Sequence, residues 1–204
     1  MKTATNLILS SLIVLMASVA SWAQSPNYSL DEANSSMVVT GTSTIHDWEA
    51  DVEEMSTEIS LAPEMMSQDS MANPVSSFSL TVPVESIESG KGGMNRKIYG
   101  ALKEDDHPNI MFNFSSATFA DTVQTPESFK LNVTGNLNIA GKVKEVTFPV
   151  TGTKVGDSGY RFEGSYGLNM KDYDVDPPSA VFGTIKSGEE VEIKFNVMFT
   201  ATQS

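Results

Sequence analysis

The chain has 204 residues, no cysteine and a net charge of −13, from 13 Lys and Arg against 26 Asp and Glu. The lack of cysteine excludes a disulfide framework and lipobox-type acylation, and makes a structural zinc site improbable beside only two histidines. The acidic balance argues against nucleic acid and anionic membrane surfaces as partners, since both reward basic patches.

The first residues set the expected compartment. Lys2 supplies a positive start, Leu7 to Ala20 is an apolar run broken by serines, and Ser21-Trp22-Ala23 puts small residues at the −3 and −1 positions of a cleavage site. This is the layout of a secretory signal peptide covering 1–23. A membrane span needs about 20 apolar residues, so the run is short for an anchor, which is the alternative. The expected mature chain, 24–204, is one exported domain in the periplasm or outside the cell, without stable membrane insertion.

From there the pattern has strand period nearly throughout. Met37 to Gly41 opens it, and His46 to Leu61 is a long mixed stretch holding Trp48, Ala50, Val52, Ile59 and Leu61. Phe78, Leu80, Val82 and Val84 alternate, as do Ile110, Phe112 and Phe114, and then Leu131, Val133, Gly135, Leu137 and Ile139. Val146, Phe148 and Val150 follow, then Tyr160, Phe162, Gly164, Tyr166 and Leu168, and finally Val191, Ile193, Phe195, Val197 and Phe199. Period-two alternation turns one face to an apolar interior and the other to water. Turns are expected at Ala140-Gly141-Lys142, at Gly156-Asp157-Ser158-Gly159 and at Lys186-Ser187-Gly188-Glu189, where Gly and Asp supply positive φ. Many antiparallel strands at short spacing point to a sandwich or barrel.

Two segments depart from that pattern. Met94, Ile98 and Leu102 stand four residues apart, with Lys97 and Lys103 on other faces, between the glycines at 90, 92 and 93 and the stop at Asp105, Asp106 and Pro108. This predicts a short helix capping a barrel end. Pro63 to Pro74, with Met65, Met66 and Met71, reads as a loop whose flexible apolar side chains suit a greasy mouth; soft-metal binding is its other reading.

Chemistry-bearing motifs are scarce. His46 and His107 are the two histidines, and His46 adjoins Asp47, but nothing resembles a G-x-S-x-G nucleophile elbow. Asp172, Asp174 and Asp176 have the opening spacing of a calcium loop, yet Pro177 and Gly183 stand where Gly and Glu are required, so the EF-hand reading fails. Nothing is drawn from the N-x-S/T matches at Asn34, Asn113 and Asn132. No phosphate loop or dinucleotide fingerprint occurs. What remains is the interior, where Phe112, Phe114, Phe148, Phe195 and Tyr166 alternate near Gly135 and Gly164. Large beside small suits a tapering barrel and also leaves room for a ligand; a barrel filled by its own side chains gives the same pattern.

Several stretches, in shared order, resemble the YceI-like family. They are Gly41-Thr42-Ser43-Thr44-Ile45-His46-Asp47-Trp48-Glu49; Val82-Pro83-Val84-Glu85-Ser86-Ile87; Met94-Asn95-Arg96-Lys97 with Ala101-Leu102-Lys103; His107-Pro108-Asn109-Ile110-Met111-Phe112; Val133 to Gly141; and Tyr173 through Pro177-Pro178 to Gly183 with Val191-Glu192-Ile193. The resemblance implies an extended, antiparallel lipocalin-like β-barrel with one short helix near the mouth. It implies a non-enzymatic carrier that needs no cofactor and holds a polyisoprenoid or quinone-like lipid, and it allows a homodimer. By position it implies wall residues Phe78, Leu80, Phe112, Phe114, Leu137, Ile139, Phe148, Tyr166 and Phe195. Trp48, Met94, Ile98, Tyr99 and Leu102 would stand near the mouth, and His46, Arg96 and His107 would meet a polar head group. Arg96 would matter most for a phosphate, which guanidinium grips bidentately. The competing readings are a filled-barrel interaction module working through its acidic surface and, less well supported, a hydrolase.

Overall fold

The computed structural model describes residues 27–63, 72–120, 125–180 and 184–202. The expected signal peptide and Met65, Met66 and Met71 lie outside them. Twelve strands form among the described residues: β1 (Asn27–Leu30), β2 (Ser36–Ser43), β3 (Trp48–Val52), β4 (Ser56–Leu61), β5 (Val75–Pro83), β6 (Ile87–Glu88), β7 (Asn109–Phe119), β8 (Ser128–Ile139), β9 (Lys142–Val155), β10 (Gly159–Asn169), β11 (Ser179–Ala180) and β12 (Ile185–Thr202). One α-helix, α1, spans Gly92–Ala101. No described helix is long and apolar enough to cross a membrane.

The strands make one strongly curled antiparallel sheet in the order β4-β5-β7-β8-β9-β10-β12-β2-β3-β6. β1 pairs with the last residues of β12, Asn27 opposite Thr202 and Leu30 opposite Phe199, and lies against β4. That contact brings the sheet round on itself at one end of the barrel. The helix covers the other end, packed on β6 and on the 3-10 turn Val84–Ser86.

Alternation decides which face is which. Along β8, Phe129, Leu131, Val133, Gly135, Leu137 and Ile139 are buried while Lys130, Asn132 and Asn136 are exposed. The register with β9 runs unbroken from Ser128 opposite Thr153 to Ile139 opposite Lys142. A one-residue slip would turn this whole apolar set outward, so the pattern fixes the register. The connecting hairpin is tight: Ala140 and Gly141 both have positive φ, 50° and 81°. Two such residues are what a turn matching the strands' right-handed twist requires. Gly156, with φ 63°, opens the β9–β10 loop.

The stretch 46–61 separates into two strands that sit far apart in the sheet order. β3 pairs with β2 and β6, whereas β4 pairs with β5. The break is tied down by Ser86, whose carbonyl accepts from Glu53 N–H at 2.9 Å and whose hydroxyl donates to the Glu54 carbonyl at 3.1 Å. Lys186 to Glu189 is a bulge inside β12 and not a turn before it, because pairing with β2 shifts register between Ser187 and Val191. Gly188 sits where a Cβ would stand 2.4 Å from Thr42 Oγ1, so its lack of a side chain serves the close approach of two strands.

Candidate functional site

The barrel is packed at one end and hollow toward the other. At the end where β1 meets β4, aromatic rings interlock. Phe199 contacts Phe78 and Phe162 with centroids 6.1 and 6.0 Å apart, Phe162 contacts Phe129 at 6.2 Å, and Tyr28 closes on Tyr160 at 6.1 Å. Phe129, Leu131 and Phe199 are essentially inaccessible there. Toward the helix, inward-facing Val39, Leu80, Phe114, Phe148, Tyr166, Ile193 and Phe195 are only half-buried, although they lie on the core face. Their free surface faces internal space.

That space is two cavities. The inner one, about 160 Å³, is lined by Phe78, Leu80, Phe112, Phe114, Leu137, Phe148, Tyr166 and Phe195, together with aliphatic residues and Thr57. The outer one, about 450 Å³, runs under α1 and is lined by Trp48, Met94, Ile98, Leu102, Ile139, Leu168, Met170, Tyr173 and Val175, with His46, Lys91 and Lys97 among its polar residues. Val39, Ile87, Ile110 and Ile193 line both, so the cavities meet end to end at a neck of aliphatic side chains. The outer volume falls within the roughly 300–1,000 Å³ typical of small-molecule sites.

The glycines expected to leave room for a ligand are instead covered by rings. A Cβ on Gly135 would lie 2.4 Å from Phe112 Cζ, and one on Gly164 would lie 2.7 Å from Phe195 Cζ. Each aromatic ring leans over the bare backbone of the neighbouring strand, so the cavity lies beyond the rings. Gly41 receives Trp48 in the same way. The Trp48 indole N–H donates to the Thr42 carbonyl at 3.0 Å and the Ser187 hydroxyl at 3.1 Å, which fixes the ring at the outer mouth.

The helix is held from both ends. At its start buried Asn95, 6 % exposed, accepts from Ser89 N–H at 3.0 Å and from the Ser89 hydroxyl at 2.6 Å. At its end Lys103 turns left-handed, φ 57°, and its carbonyl accepts from His107 N–H at 2.8 Å. Met94, Ile98, Ala101 and Leu102 then face the cavity at helical spacing. Lys97 shares this face, contrary to the placement expected from sequence. It stands three residues after Met94, on the edge of the apolar stripe, and its long stem lets the ammonium reach out to donate to the Ser179 carbonyl.

Of the residues singled out by sequence, those named for the barrel wall and for the mouth line one cavity or the other, except Tyr99. That side chain points away, donating to the Glu85 carbonyl at 2.8 Å. His46 lines the mouth, but Arg96 and His107 line neither cavity. The His107 ring packs over Gly141, 2.5 Å from where a Cβ would stand. Lys91 and Lys97, with Ser43, Ser179 and Ser187, are polar residues at the mouth that sequence reasoning missed, and among the described residues no carboxylate lines this cavity despite the chain's acidity.

The aspartate triplet is dispersed by partners. Lys144 pairs with Asp172 at 2.8 Å, Lys142 with Asp174 at 3.0 Å and Lys171 with Asp176 at 2.5 Å. The lysine contacts hold the Asp174 and Asp176 carboxyls below their usual range. No cluster of His, Asp or Glu suited to a metal ion occurs among the described residues. Ser43 donates to the backbone carbonyl of His46 at 2.6 Å, which serves the turn and not an acid–base relay.

A curled antiparallel sheet with an apolar interior reached beneath a helix defines a lipocalin-like barrel. The match of the YceI-like domain model to residues 28–199 goes further, and the chain belongs to that family. Among solved structures, BcnA of Burkholderia cenocepacia is 23% identical with a TM-score of 0.67, covering 83% of this chain and 98% of its own. A polyisoprenoid binding domain from Saccharophagus degradans, implicated in plant cell wall breakdown, is 13% identical at TM-score 0.65, covering 87% and 99%. The YCEI protein of Campylobacter jejuni is 14% identical at TM-score 0.60, covering 76% and 85%. No curated protein sequence matches.

Proposed function

We propose that this chain is an exported, non-enzymatic carrier that holds a long apolar lipid, polyisoprenoid or quinone-like, for transport, storage or protection. The observation that carries the reading is the pair of joined cavities, whose deeper part presents almost nothing but hydrocarbon and aromatic surface. Each buried CH₂ contributes about 0.8 kcal/mol, so a chain of several isoprene units binds firmly without polar contacts. Its tail enters the inner cavity and its head stays under α1, where Lys91, Lys97 and His46 offer donors. The polyisoprenoid binding described for the Saccharophagus degradans domain supports the ligand class, and the signal-peptide pattern of residues 1–23 supports export.

Native mass spectrometry of the exported protein, followed by organic extraction, tests this. A stoichiometric, discrete apolar mass is expected. A clean ligand-free mass, with no uptake of added isoprenoids or quinones, would replace the carrier reading with an interaction module. Such a module would work through the acidic outer face, where Asp47, Glu49, Glu190 and Glu192 surround a shallow depression.

A further inference from the structure

The mouth of the outer cavity carries the opposite sign from the rest of the molecule. Of 26 acidic residues, none among those described lines this cavity, whereas Lys91, Lys97 and His46 all do. The alternation of β12 explains part of this, because it sends Glu190 and Glu192 to the outer depression, where Asp47 and Glu49 also stand, while Ile193 turns to the cavity.

The three basic side chains come from segments outside the strands, and all are exposed. Lys91 precedes α1, where its backbone carbonyl accepts the N–H groups of Met94 and Asn95 at 2.8 and 3.0 Å. Its backbone is thus tied into the helix start, while no hydrogen bond or ion pair to a described residue holds its ammonium. Lys97 follows on the cavity face of the helix and donates to the Ser179 carbonyl. A carbonyl has no net charge, so that bond leaves the charge of Lys97 uncompensated and two of its N–H groups to spare. His46 stands in the loop between β2 and β3, where its backbone bonds to Ser43 leave the ring free. Elsewhere, Lys142, Lys144, Lys171 and Lys194 each pair with a carboxylate.

Behind this mouth the wall turns apolar. Ile98, Leu102, Ile139, Leu168 and Ile193 line the outer cavity, and the inner one beyond them is almost wholly hydrocarbon and aromatic. A charged group is costly to desolvate at that depth, so it stays at the mouth while its tail is buried. One exposed charge pair contributes little, but two uncompensated ammonium groups at one mouth act on the same head group.

We infer that the outer mouth is a site for an anionic head group of the bound lipid, a carboxylate or a phosphate, with Lys91 and Lys97 as its counter-charges and His46 as a further donor. This rests on the carrier reading above and deepens it, from any long apolar lipid to one that ends in an acid. Lys91 and Lys97 are then specificity-determining residues, because the apolar walls do not distinguish one end group from another.

The test uses exported protein stripped of lipid, and four probes that share a twenty-carbon prenyl chain and end in a hydroxyl, an amine, a carboxylate or a monophosphate. Affinities are read from Trp48 fluorescence and checked by native mass spectrometry. At low salt, wild type is expected to bind the carboxylate or the phosphate about tenfold more tightly than the alcohol, and the amine least, with the advantage shrinking in high salt. Lys91→Gln/Lys97→Gln is expected to lose that advantage while binding the alcohol within about twofold of wild type. Lys154→Gln, which removes a charge at the packed end opposite Tyr160, is expected to change nothing. Whichever anion leads supports the site and tells a carboxylate lipid from a prenyl phosphate. A wild type that binds all four alike, or favours the alcohol or the amine, overturns the site and leaves the carrier intact. So does an advantage that survives in the double variant, or one that falls as far in Lys154→Gln. A double variant that also loses the alcohol overturns it too, because the lysines would then hold the mouth in shape and not the head group. Failure of wild type to bind any probe overturns the carrier reading and the site together.

Discussion

The ring of Phe112 occupies the space that a side chain at Gly135 would need, with Cζ only 2.4 Å from the position of a Cβ there. Phe112 also contacts Phe148 at a centroid separation of 5.5 Å and lines the inner cavity, so the glycine sets where an entire aromatic wall stands. Gly135→Ala is expected to destabilise the fold by about 1–3 kcal/mol, the usual cost of overpacking. It should also drive Phe112 toward the cavity and reduce lipid retention. Thermal or denaturant unfolding and the bound-lipid stoichiometry check both. Adding Phe112→Leu should recover part of the stability, because the methyl would then have room. Only part returns, since the Asn113 carbonyl also lies 2.6 Å from that Cβ position. Purely additive losses in the double variant would refute the coupling.

The neck offers a cleaner separation of length from affinity. Ile193 lines both cavities, with Tyr166 opposite it on β10. Ile193→Phe fills space that is already empty, so it is expected to cost less than about 1.5 kcal/mol of stability. It should cut binding of long prenyl chains at least tenfold while leaving short chains, housed in the outer cavity alone, within about twofold. Titrating prenyl alcohols of increasing length into wild type and variant reads the difference. Equal losses at every length would mean that the cavities are not used in series.

How much of this was legible in sequence depended on the range of the interaction. The alternation of β8 and the Ala140-Gly141 hairpin are local, and both were readable residue by residue. The long polar/apolar stretch 46–61 could not reveal that β3 and β4 join different neighbours, because the division rests on hydrogen bonds from Ser86, some thirty residues later. Gly135 and Gly164 were legible as small positions, but a sequence does not say that Phe112 and Phe195 lean into them. The Lys186–Glu189 stretch has turn composition, yet Gly188 serves a bulge pressed against Thr42. Tyr173 was legible only as the start of a stretch shared with the family, because its burial exists only once the turn at Met170–Tyr173 has formed.

That turn also predicts a response to acid. Side-chain bonds from Lys142 to Asp174 and from Lys171 to Asp176 lower both carboxyl pKa values from an ordinary 3.8. Lowered folded pKa values mean a contribution that is complete above the unfolded value and lost as pH falls through the folded one. Stability should therefore hold from neutrality to about pH 4 and decline below it, more steeply in wild type than in the Asp174→Asn/Asp176→Asn pair. Both aspartates are exposed, so the difference should be small and should shrink further in high salt. Melting midpoints between pH 2 and 6 at two salt concentrations measure it. Identical pH profiles for wild type and the double variant at low salt would show that these pairs do not hold the turn.

Asn95 links the sheet to the helix that roofs the outer cavity. Its side-chain oxygen accepts both the N–H and the hydroxyl of Ser89, and those bonds set the direction in which the chain enters α1. The helix has no side-chain cap of its own at Lys91, and glycines occupy its first positions, so little else orders that end. Asn95→Ala removes the acceptor, strands the Ser89 N–H and leaves the Ser89 hydroxyl only its longer bond to the Lys91 carbonyl at 3.4 Å, which is expected to cost about 1–3 kcal/mol. The cost should fall on local opening of α1 and not on the whole barrel, because the sheet's ladders do not pass through it. Native-state hydrogen exchange should therefore speed up for the amides of 94–102 and leave β8 and β9 unchanged. Lipid should also exchange faster between labelled and unlabelled protein, since Met94, Ile98 and Leu102 would no longer be held over the cavity. Faster exchange spread evenly over helix and sheet would show that Asn95 supports the fold at large and has no particular role at the mouth.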